Sequence, residues 1–300
     1  MSAIRVALVT GATGFIGSHL TRRLVQDGWQ VHIVSRAGSH LPNVLEFSEV
    51  TNHVHDGSTE SMVDLVRNAK PDVVFHLASL FLSGHGPKDV AGLIQSNVLF
   101  STQLLEAMSE TGVIGLVNTG TSWQHYENRG YSPVNLYAAT KQAFEAILQY
   151  YIEARSMKAI TLKLFDTYGP NDPRPKLLHL LEKVARSNEP LAMSPGEQLI
   201  DLVHVDDVIS AYLIAAQRLL SSQVNKYESY AVSSGRPLPL KDLVGIYEEM
   251  VGSTLPIRWG ERPYRKREVM ETWNRGNLMP GWQPAVSLKD GLSQLMGNSA

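Results

Sequence analysis

The chain has 300 residues, with 27 Lys and Arg against 29 Asp and Glu, a formal net charge of −2 and no cysteine. This near balance of charge argues against a general nucleic-acid-binding protein and against a polybasic membrane binder. Without cysteine there can be no disulfide, no thiolate nucleophile and no thiolate metal site. Because 43% of the residues are hydrophobic, the chain can bury a large core.

Targeting and membrane segments are also not expected. The opening MSAIRVALVTGATG has no uninterrupted apolar stretch of signal-peptide length. No other segment approaches the ~18–20 apolar residues that a membrane-spanning helix requires. We therefore expect a cytoplasmic protein that binds neither membrane nor nucleic acid.

The first two thirds of the chain alternate between strand and helix patterns. Residues 4–10 form an apolar run typical of a buried parallel strand. The glycine-rich GATGFIG follows, and then Ile16, Leu20 and Leu24 repeat at helical spacing. Further strands are predicted at 29–34, 72–77, 115–119 and 159–164, and further helices at 60–68, 90–108 and 136–155. This order predicts a Rossmann-type doubly wound α/β fold with a parallel sheet.

The pattern changes after residue 165. Residues 168–175 read YGPNDPRP, and the later elements are short and separated by turn signals. A helix at 205–220 is expected to return to the first lobe. We predict a dinucleotide-binding domain from residues 1–165 plus about 201–235. A smaller α/β substrate-binding lobe would comprise about 166–200 plus 236–300.

The glycine loop predicts a dinucleotide site. Glycines between a strand and a helix let the backbone approach a diphosphate, whose charge is favoured by free N–H groups at the helix start. The residues predicted to contact the cofactor here are Gly11, Thr13, Gly14, Phe15, Ile16 and Gly17.

The end of the second strand predicts which cofactor binds. NAD-binding proteins carry an acidic residue there for the ribose 2′-hydroxyl, whereas an arginine suits the 2′-phosphate of NADP. The stretch from Ser35 and Arg36 to His40 contains no carboxylate. We therefore expect NADPH in preference to NADH, with Arg36 on the phosphate and Ser35 beside it.

A phenol and an amine share one face of the helix predicted at 136–155. Tyr137 and Lys141 lie four residues apart. A phenol has an ordinary pKa near ~10 and is a poor acid–base group at neutral pH unless a cation stabilises its anion. Lys141 can supply that cation, which makes the pair a candidate catalytic site.

These motifs together resemble the extended short-chain dehydrogenase/reductase family. The resemblance rests on GATGFIG, the strand end His76-Leu77-Ala78, Tyr137 with Lys141, the YGP at 168–170, and the segments 196–213 and 281–284. It covers essentially the whole chain. It is strongest to short bacterial reductases of nucleotide-linked 4-keto-6-deoxyhexoses.

The resemblance implies roles for individual residues. Tyr137 would protonate a carbonyl oxygen, Lys141 would lower the pKa of Tyr137 and bind the nicotinamide ribose, and Thr121, or else Ser122, would hold the carbonyl. His76 would be structural, and the helix containing Asn97 would pack with the Tyr137 helix in a homodimer. Further residues implied at the cofactor are Asp56 (at adenine), Gly57, Leu77, Ala78 and Asn97; those implied at the substrate are Ser79, Ser122, Trp123, Arg262 and Arg265.

Several reactions are known in this family. Its 4,6-dehydratases carry an Asp-Glu pair after the catalytic Thr, whereas Ser122 and Trp123 follow Thr121 here, and its epimerase-reductases use a Cys that this chain lacks. We therefore expect NADPH-dependent reduction of a ketone on a nucleotide-diphosphate sugar. A nucleotide-sugar 4-epimerase with bound NAD stays open, as does a redox sensor without catalysis. Ile200, at a position where many relatives have Arg, keeps a reductase of non-nucleotide carbonyls open as well.

Overall fold

The computed structural model describes residues 4–39, 41 and 48–297, so that His40 lies outside the described residues. Its strands are β1 (Val6–Thr10), β2 (Gln30–Arg36), β3 (Val50–His55), β4 (Val73–His76), β5 (Gly115–Thr121), β6 (Lys158–Leu164), β7 (Asp166–Tyr168), β8 (Leu191–Met193), β9 (Leu199–Ile200), β10 (Leu202–His204), β11 (Tyr227–Val232), β12 (Leu238–Pro239) and β13 (Ile257–Trp259). Seven of them form one parallel sheet in the order β11-β6-β5-β4-β1-β2-β3.

Helices cover both faces of this sheet. They are α1 (Phe15–Gln26), α2 (Thr59–Ala69), α3 (Val90–Ile94), α4 (Phe100–Thr111), α5 (Leu136–Arg155), α6 (Leu177–Ser187), α7 (Val205–Leu220), α8 (Leu240–Val251) and α9 (Leu288–Gly297). One hydrophobic cluster joins the sheet to α1 and α7, and a second joins it to α2, α4 and α5. The predicted Rossmann-type doubly wound fold is confirmed.

The sheet topology brings the predicted site residues to one edge. In a parallel sheet the carboxyl ends of all strands lie on the same side, and ligands bind there where the strand order reverses. The order reverses between β1 and β4. The glycine loop after β1 and the His76 segment at the end of β4 are therefore neighbours.

The helix predicted at 90–108 extends further and is interrupted. It begins with α3, passes through a π-helical turn at Gln95–Leu99 and continues as α4 to Thr111. A π-turn adds one residue to the helical repeat and is frequent at functional sites. The sequence pattern did not predict this irregularity, which places Asn97 in the wide turn.

The remaining elements form a smaller α/β assembly. Three two-stranded sheets pair β10 with β7, β12 with β9 and β13 with β8. A third hydrophobic cluster packs α6, α8 and α9 around Tyr168 and Leu181. Within the described residues, no helix is both long and apolar enough to cross a bilayer.

Candidate active site

The glycine loop is shaped by close backbone approaches. Gly11 has φ +74°, and a Cβ on it would lie 2.6 Å from the Ala78 nitrogen. A Cβ on Gly17 would collide with the carbonyl oxygen of Gly11. Gly14 precedes α1 without a side-chain cap, and the first turn of α1 contains no acidic residue. The start of α1 therefore keeps N–H groups free for an anion, which fits a dinucleotide diphosphate.

The segment after β4 lies directly against this loop. The backbone N–H of Ala78 donates to Thr10 Oγ1 at 3.2 Å, and that of Leu77 donates to the Thr10 carbonyl at 3.2 Å. Thr13 is exposed, whereas Phe15 is buried and Ile16 partly buried. The structure thus brings together most of the residues predicted around the cofactor phosphates.

His76 is a structural histidine. Its Nδ1 lies 2.8 Å from Thr10 Oγ1, and its Nε2 lies 2.8 Å from Ser101 Oγ. Ser101 donates its own proton to the Asn97 carbonyl, so Nε2–H is the donor to Ser101. Burial, with a smaller effect of Lys141, lowers the pKa of His76 to about 3. A neutral imidazole with both nitrogens bonded is unsuited to proton transfer.

The end of β2 leaves groups available to a ligand. Ser35 is buried, and its Oγ has no hydrogen-bond partner among the described residues. Arg36 is exposed; its backbone N–H donates to Ser39 Oγ at 3.2 Å and its carbonyl accepts from the Ser39 nitrogen at 3.1 Å. Its guanidinium pairs with none of the described residues.

Asp56 follows β3 and holds Ser58, the N-cap residue of α2. Its Oδ1 accepts hydrogen bonds from the Ser58 nitrogen at 2.8 Å and from Ser58 Oγ at 2.7 Å. These bonds lower the pKa of the Asp56 carboxyl. Gly57 has φ +99°, and its carbonyl accepts from Gln103 at 2.8 Å.

Tyr137 and Lys141 lie together in the first turns of α5. The Lys141 ammonium is 6.0 Å from the centre of the Tyr137 ring. Burial raises the pKa of the Tyr137 phenol to about 12, against the smaller opposing effects of a hydrogen bond with Ser79 and the charge of Arg174. Burial lowers the pKa of Lys141 to about 8, which Glu145 partly offsets. In this structure burial outweighs the expected lowering of the phenol's pKa by Lys141.

Asn97 connects the π-turn to the catalytic helix. Its Oδ1 accepts from the Leu80 nitrogen at 2.7 Å, and its Nδ2 donates to the Leu80 carbonyl at 3.0 Å and to Thr140 Oγ1 at 2.9 Å. Thr140 in turn donates to the Tyr137 carbonyl. Ser79 Oγ lies 3.2 Å from Asn97 Oδ1. Asn97 therefore fixes the Ser79–Leu80 backbone against the first turn of α5.

The two candidate hydroxyls at the end of β5 differ in position. Thr121 is buried, and its Oγ1 accepts from the Trp123 nitrogen at 3.3 Å. Ser122 lines a cleft together with Trp123 and with Phe81, whose ring contacts Tyr137. The Phe81 ring packs edge-on against Tyr137 with centroids 5.0 Å apart, and lies 5.7 Å from that of Trp123. The sequence analysis did not predict Phe81 as a residue of this site.

The cleft of about 1550 Å³ runs from the end of β5 into the smaller assembly. Arg262 and Arg265, the arginines predicted to bind substrate, line it. Arg267 lines it too, with its guanidinium 4.2 Å above the Tyr126 ring and Nη2 donating to Ser132 at 2.7 Å. Its Nε is buried without a partner in the described part of the chain. Ile200 also lines the cleft, where it offers no hydrogen bond from its side chain.

Other residues near the site were also missed by sequence reasoning. Arg174 lies 4.6 Å above the Phe15 ring, forms paired hydrogen bonds with Asp172, and lowers the pKa of Tyr137. The only available signal was its place in the proline-rich segment. Across the described residues, no cluster of three His, Asp or Glu side chains could hold a metal ion.

Comparisons with known proteins agree with this geometry. CDP-abequose synthase of Yersinia pseudotuberculosis is 29% identical over 88% of this chain and 90% of its own length. The solved UDP-glucose 4-epimerase of Thermotoga maritima with UDP-glucose has a TM-score of 0.84 at 25% identity and covers 97% of both chains. The UDP-glucose 4-epimerase of Thermus thermophilus in complex with NAD has a TM-score of 0.80 at 25% identity, again with 97% coverage of both.

The model of the NAD dependent epimerase/dehydratase family matches residues 7–231. This match spans both the glycine loop and the Tyr137–Lys141 pair, and it confirms the predicted enzyme class, an NAD(P)-dependent oxidoreductase of the extended short-chain type. The chain belongs to the NAD dependent epimerase/dehydratase family.

Proposed function

We propose that this enzyme reduces a ketone with NADPH, and that its substrate is a nucleotide-linked 4-keto-6-deoxyhexose. When bound, NADPH supplies the hydride for the carbonyl carbon. Tyr137 donates its phenolic proton to the carbonyl oxygen, while the hydroxyl of Thr121 or Ser122 holds that oxygen in place. Lys141 stabilises the phenolate that remains, and solvent restores the proton.

The protonated state of Tyr137 fits this proposal, which the basic, carboxylate-free end of β2 described below carries. A reduction starts with a general acid, whereas a 4-epimerase must first remove a proton from a sugar hydroxyl with a base. Because the pKa of Tyr137 is raised to about 12, the phenol holds its proton at neutral pH. Lys141, with a pKa near 8, is still mostly cationic there. The phenol can therefore donate a proton in a reduction.

The preference for NADPH is supported by the end of β2. The Arg36 guanidinium has no partner in the described part of the chain, and no carboxylate occurs between Ser35 and Ser39. A guanidinium can bind a phosphate through paired hydrogen bonds. A stoichiometric reduction uses the cofactor once in each turnover, which suits an exchangeable NADPH.

The nucleotide-sugar substrate is supported by relatives and by the cleft. The relatives include enzymes named CDP-abequose synthase and UDP-glucose 4-epimerase, and one solved relative holds UDP-glucose. We assign the substrate diphosphate to the basic cleft wall. Arg267 is the strongest candidate contact because Tyr126 and Ser132 hold its guanidinium and its buried Nε has no partner among the described residues, with Arg262 and Arg265 also on the cleft wall. The residues 166–200 and 236–297 would then form the substrate-binding lobe.

A homodimer is part of the proposal. Large apolar side chains remain exposed on the helices that carry Asn97 and Tyr137: Val90 40%, Ile94 44%, Leu99 49% and Tyr150 55%. A second copy of the same surface would cover them.

The test is NADPH consumption with 4-keto-6-deoxyhexoses linked to CDP, dTDP, GDP or UDP. Oxidation of NADPH with one of them supports the proposal, and oxidation with none overturns the substrate class. The second candidate is a 4-epimerase with retained NAD, which the solved relatives favour. Purified protein that carries NAD and interconverts UDP-glucose and UDP-galactose without added cofactor would establish that alternative.

A further inference from the structure

A buried carboxylate that the proposed reaction does not use lies two helical turns after Tyr137. Glu145 is on α5, and its side chain is 8% exposed. Its Oε2 lies 3.3 Å from the Nζ of Lys163 on β6, whose side chain is 7% exposed. A buried ion pair is costly to form, and removing one of its two partners leaves an uncompensated buried charge.

One oxygen of Glu145 holds Gln124, which lies two residues after the second candidate hydroxyl, Ser122. Gln124 Nε2 donates to Glu145 Oε1 at 2.9 Å and to Gln142 Oε1 at 2.7 Å. Its Oε1 accepts the backbone N–H of Thr121 at 2.9 Å. Both amide protons and the amide oxygen of Gln124 are therefore engaged. Through this amide the carboxylate fixes the last residue of β5.

The other side of the ion pair holds the cleft wall. Lys163 Nζ lies 2.9 Å from His125 Nε2. Because an ammonium can only donate, Nε2 is the acceptor and the ring proton is on Nδ1, which donates to the Arg129 carbonyl at 3.1 Å. This neutral ring stacks on Trp273, with centroids 4.1 Å apart and planes 14° from parallel. His125 and Trp273 both line the cleft.

The charges around Glu145 are unbalanced. Two buried cations, Lys163 and Lys141, share this one carboxylate, and the Tyr227 phenol on β11 also faces it. His125 faces Lys163 and is neutral. Glu145 raises the pKa of Lys141 and so offsets part of the effect of burial. Removing the carboxylate would take away, in a region of low dielectric, the anion with which both cations interact.

We infer that Glu145 is a positioning residue for the reaction: its carboxylate holds the Thr121–Ser122 hydroxyls, through Gln124, in register with Tyr137 and Lys141 on its own helix. This inference rests on the proposed function. The carboxylate touches neither substrate nor cofactor, and it joins the two elements that must converge on one carbonyl oxygen. Misplacement of a catalytic group by about 1 Å can cost on the order of 100-fold in rate.

The test compares Glu145→Gln with the matched control Glu153→Gln. Glu153 lies on the same helix, but its ion pair with Lys226 is half exposed. With CDP-4-keto-6-deoxyglucose as probe, we expect Glu145→Gln to lower kcat on the order of 100-fold. The Kd of NADPH, read from protein fluorescence, should stay within about twofold, as expected of a residue that does not touch the cofactor. The basic limb of the kcat profile should move to lower pH, because Lys141 loses its neighbouring anion. Glu153→Gln should match wild type in all three.

Two double variants complete the test: one exchanges the carboxylate and the amide (the swap), and the other removes both charges of the ion pair (the neutral pair). Combining Glu145→Gln with Gln124→Glu retains one carboxylate and one amide, and should recover most of the lost kcat. If Glu145→Gln fails to fold, Glu145→Gln with Lys163→Met removes both charges, and that folded variant should show the same loss of kcat. Wild-type kcat and pH profile in a folded Glu145→Gln variant, or in the neutral pair, would overturn the inference. So would a swap that leaves kcat at the level of Glu145→Gln.

Failure of the proposed function would be visible separately. If wild type oxidises no NADPH but interconverts UDP-glucose and UDP-galactose, the proposed reduction is wrong. The same kcat ratios between variants, measured in that reaction, would still decide the role of Glu145.

Discussion

Lys141, the proposed partner of Tyr137 in the reaction, should destabilise the folded protein. Its side chain is 3% exposed, and its ammonium forms no hydrogen bond with any described residue. Burial lowers its pKa from 10.5 to about 8. A shift of 2.5 units at ~1.36 kcal/mol per unit corresponds to about 3 kcal/mol of unfolding free energy. Lys141→Met keeps the apolar stem and removes the charge, so it should be more stable than wild type by up to about this amount at pH 7.

The destabilisation caused by Lys141 should depend on pH. Below pH 8 the lysine is charged in both folded and unfolded chains, and the cost is present in full. It fades as pH rises from about 8 to about 10.5, because only the unfolded chain then keeps the proton. Urea unfolding of the cofactor-free protein, followed by tryptophan fluorescence, should give a large gap between variant and wild type at pH 7.

That gap should have mostly closed by about pH 10, near the ordinary pKa of lysine. Lys226→Met, at an exposed position, is the control and should change stability by no more than about 0.5 kcal/mol. A Lys141→Met variant less stable than wild type at pH 7, or a gap that is equal at both pH values, would refute the reasoning.

Three further predictions concern the reaction, the cofactor and the assembly. Tyr137→Phe should lower kcat by about 10²–10⁴-fold with the Kd of NADPH unchanged, since only the proton donor is lost; normal turnover would exclude Tyr137 as the acid. Arg36→Ala should raise the KM of NADPH by about 10-fold or more and leave that of NADH unchanged, and an unchanged ratio of the two would remove Arg36 from the site. Leu99→Glu should halve the mass measured by light scattering, because a charge in the proposed interface is costly; a wild-type mass would place the interface elsewhere.

The main fold was predictable because its signals are local and repeated. The buried run of β1, the glycines after it and the period of α1 each follow from a few neighbouring residues. The same holds for Tyr137 and Lys141, whose spacing places them on one helix face. These local features are sufficient to predict the Rossmann-type fold and the glycine loop from the sequence.

The missed features depend on contacts between distant segments. The π-turn at Asn97 depends on hydrogen bonds to Leu80 and Thr140. Four basic residues occur within 262–267, and only the folded chain shows that Arg267 packs on Tyr126. The proposed role of Glu145 likewise depends on its contact with Lys163, which lies on β6. Sequence spacing alone cannot rank such residues.

The most direct test of the proposed reaction is a stoichiometric one. Protein freed of bound nucleotide is mixed with CDP-4-keto-6-deoxyglucose and NADPH, while NADPH absorbance and the product's configuration at C4 by NMR are recorded. The proposal predicts one NADPH oxidised for each 4-keto group converted to a hydroxyl, with little reaction when NADH replaces NADPH. Sugar turnover without any loss of NADPH, sustained by NAD retained on the protein, would contradict it.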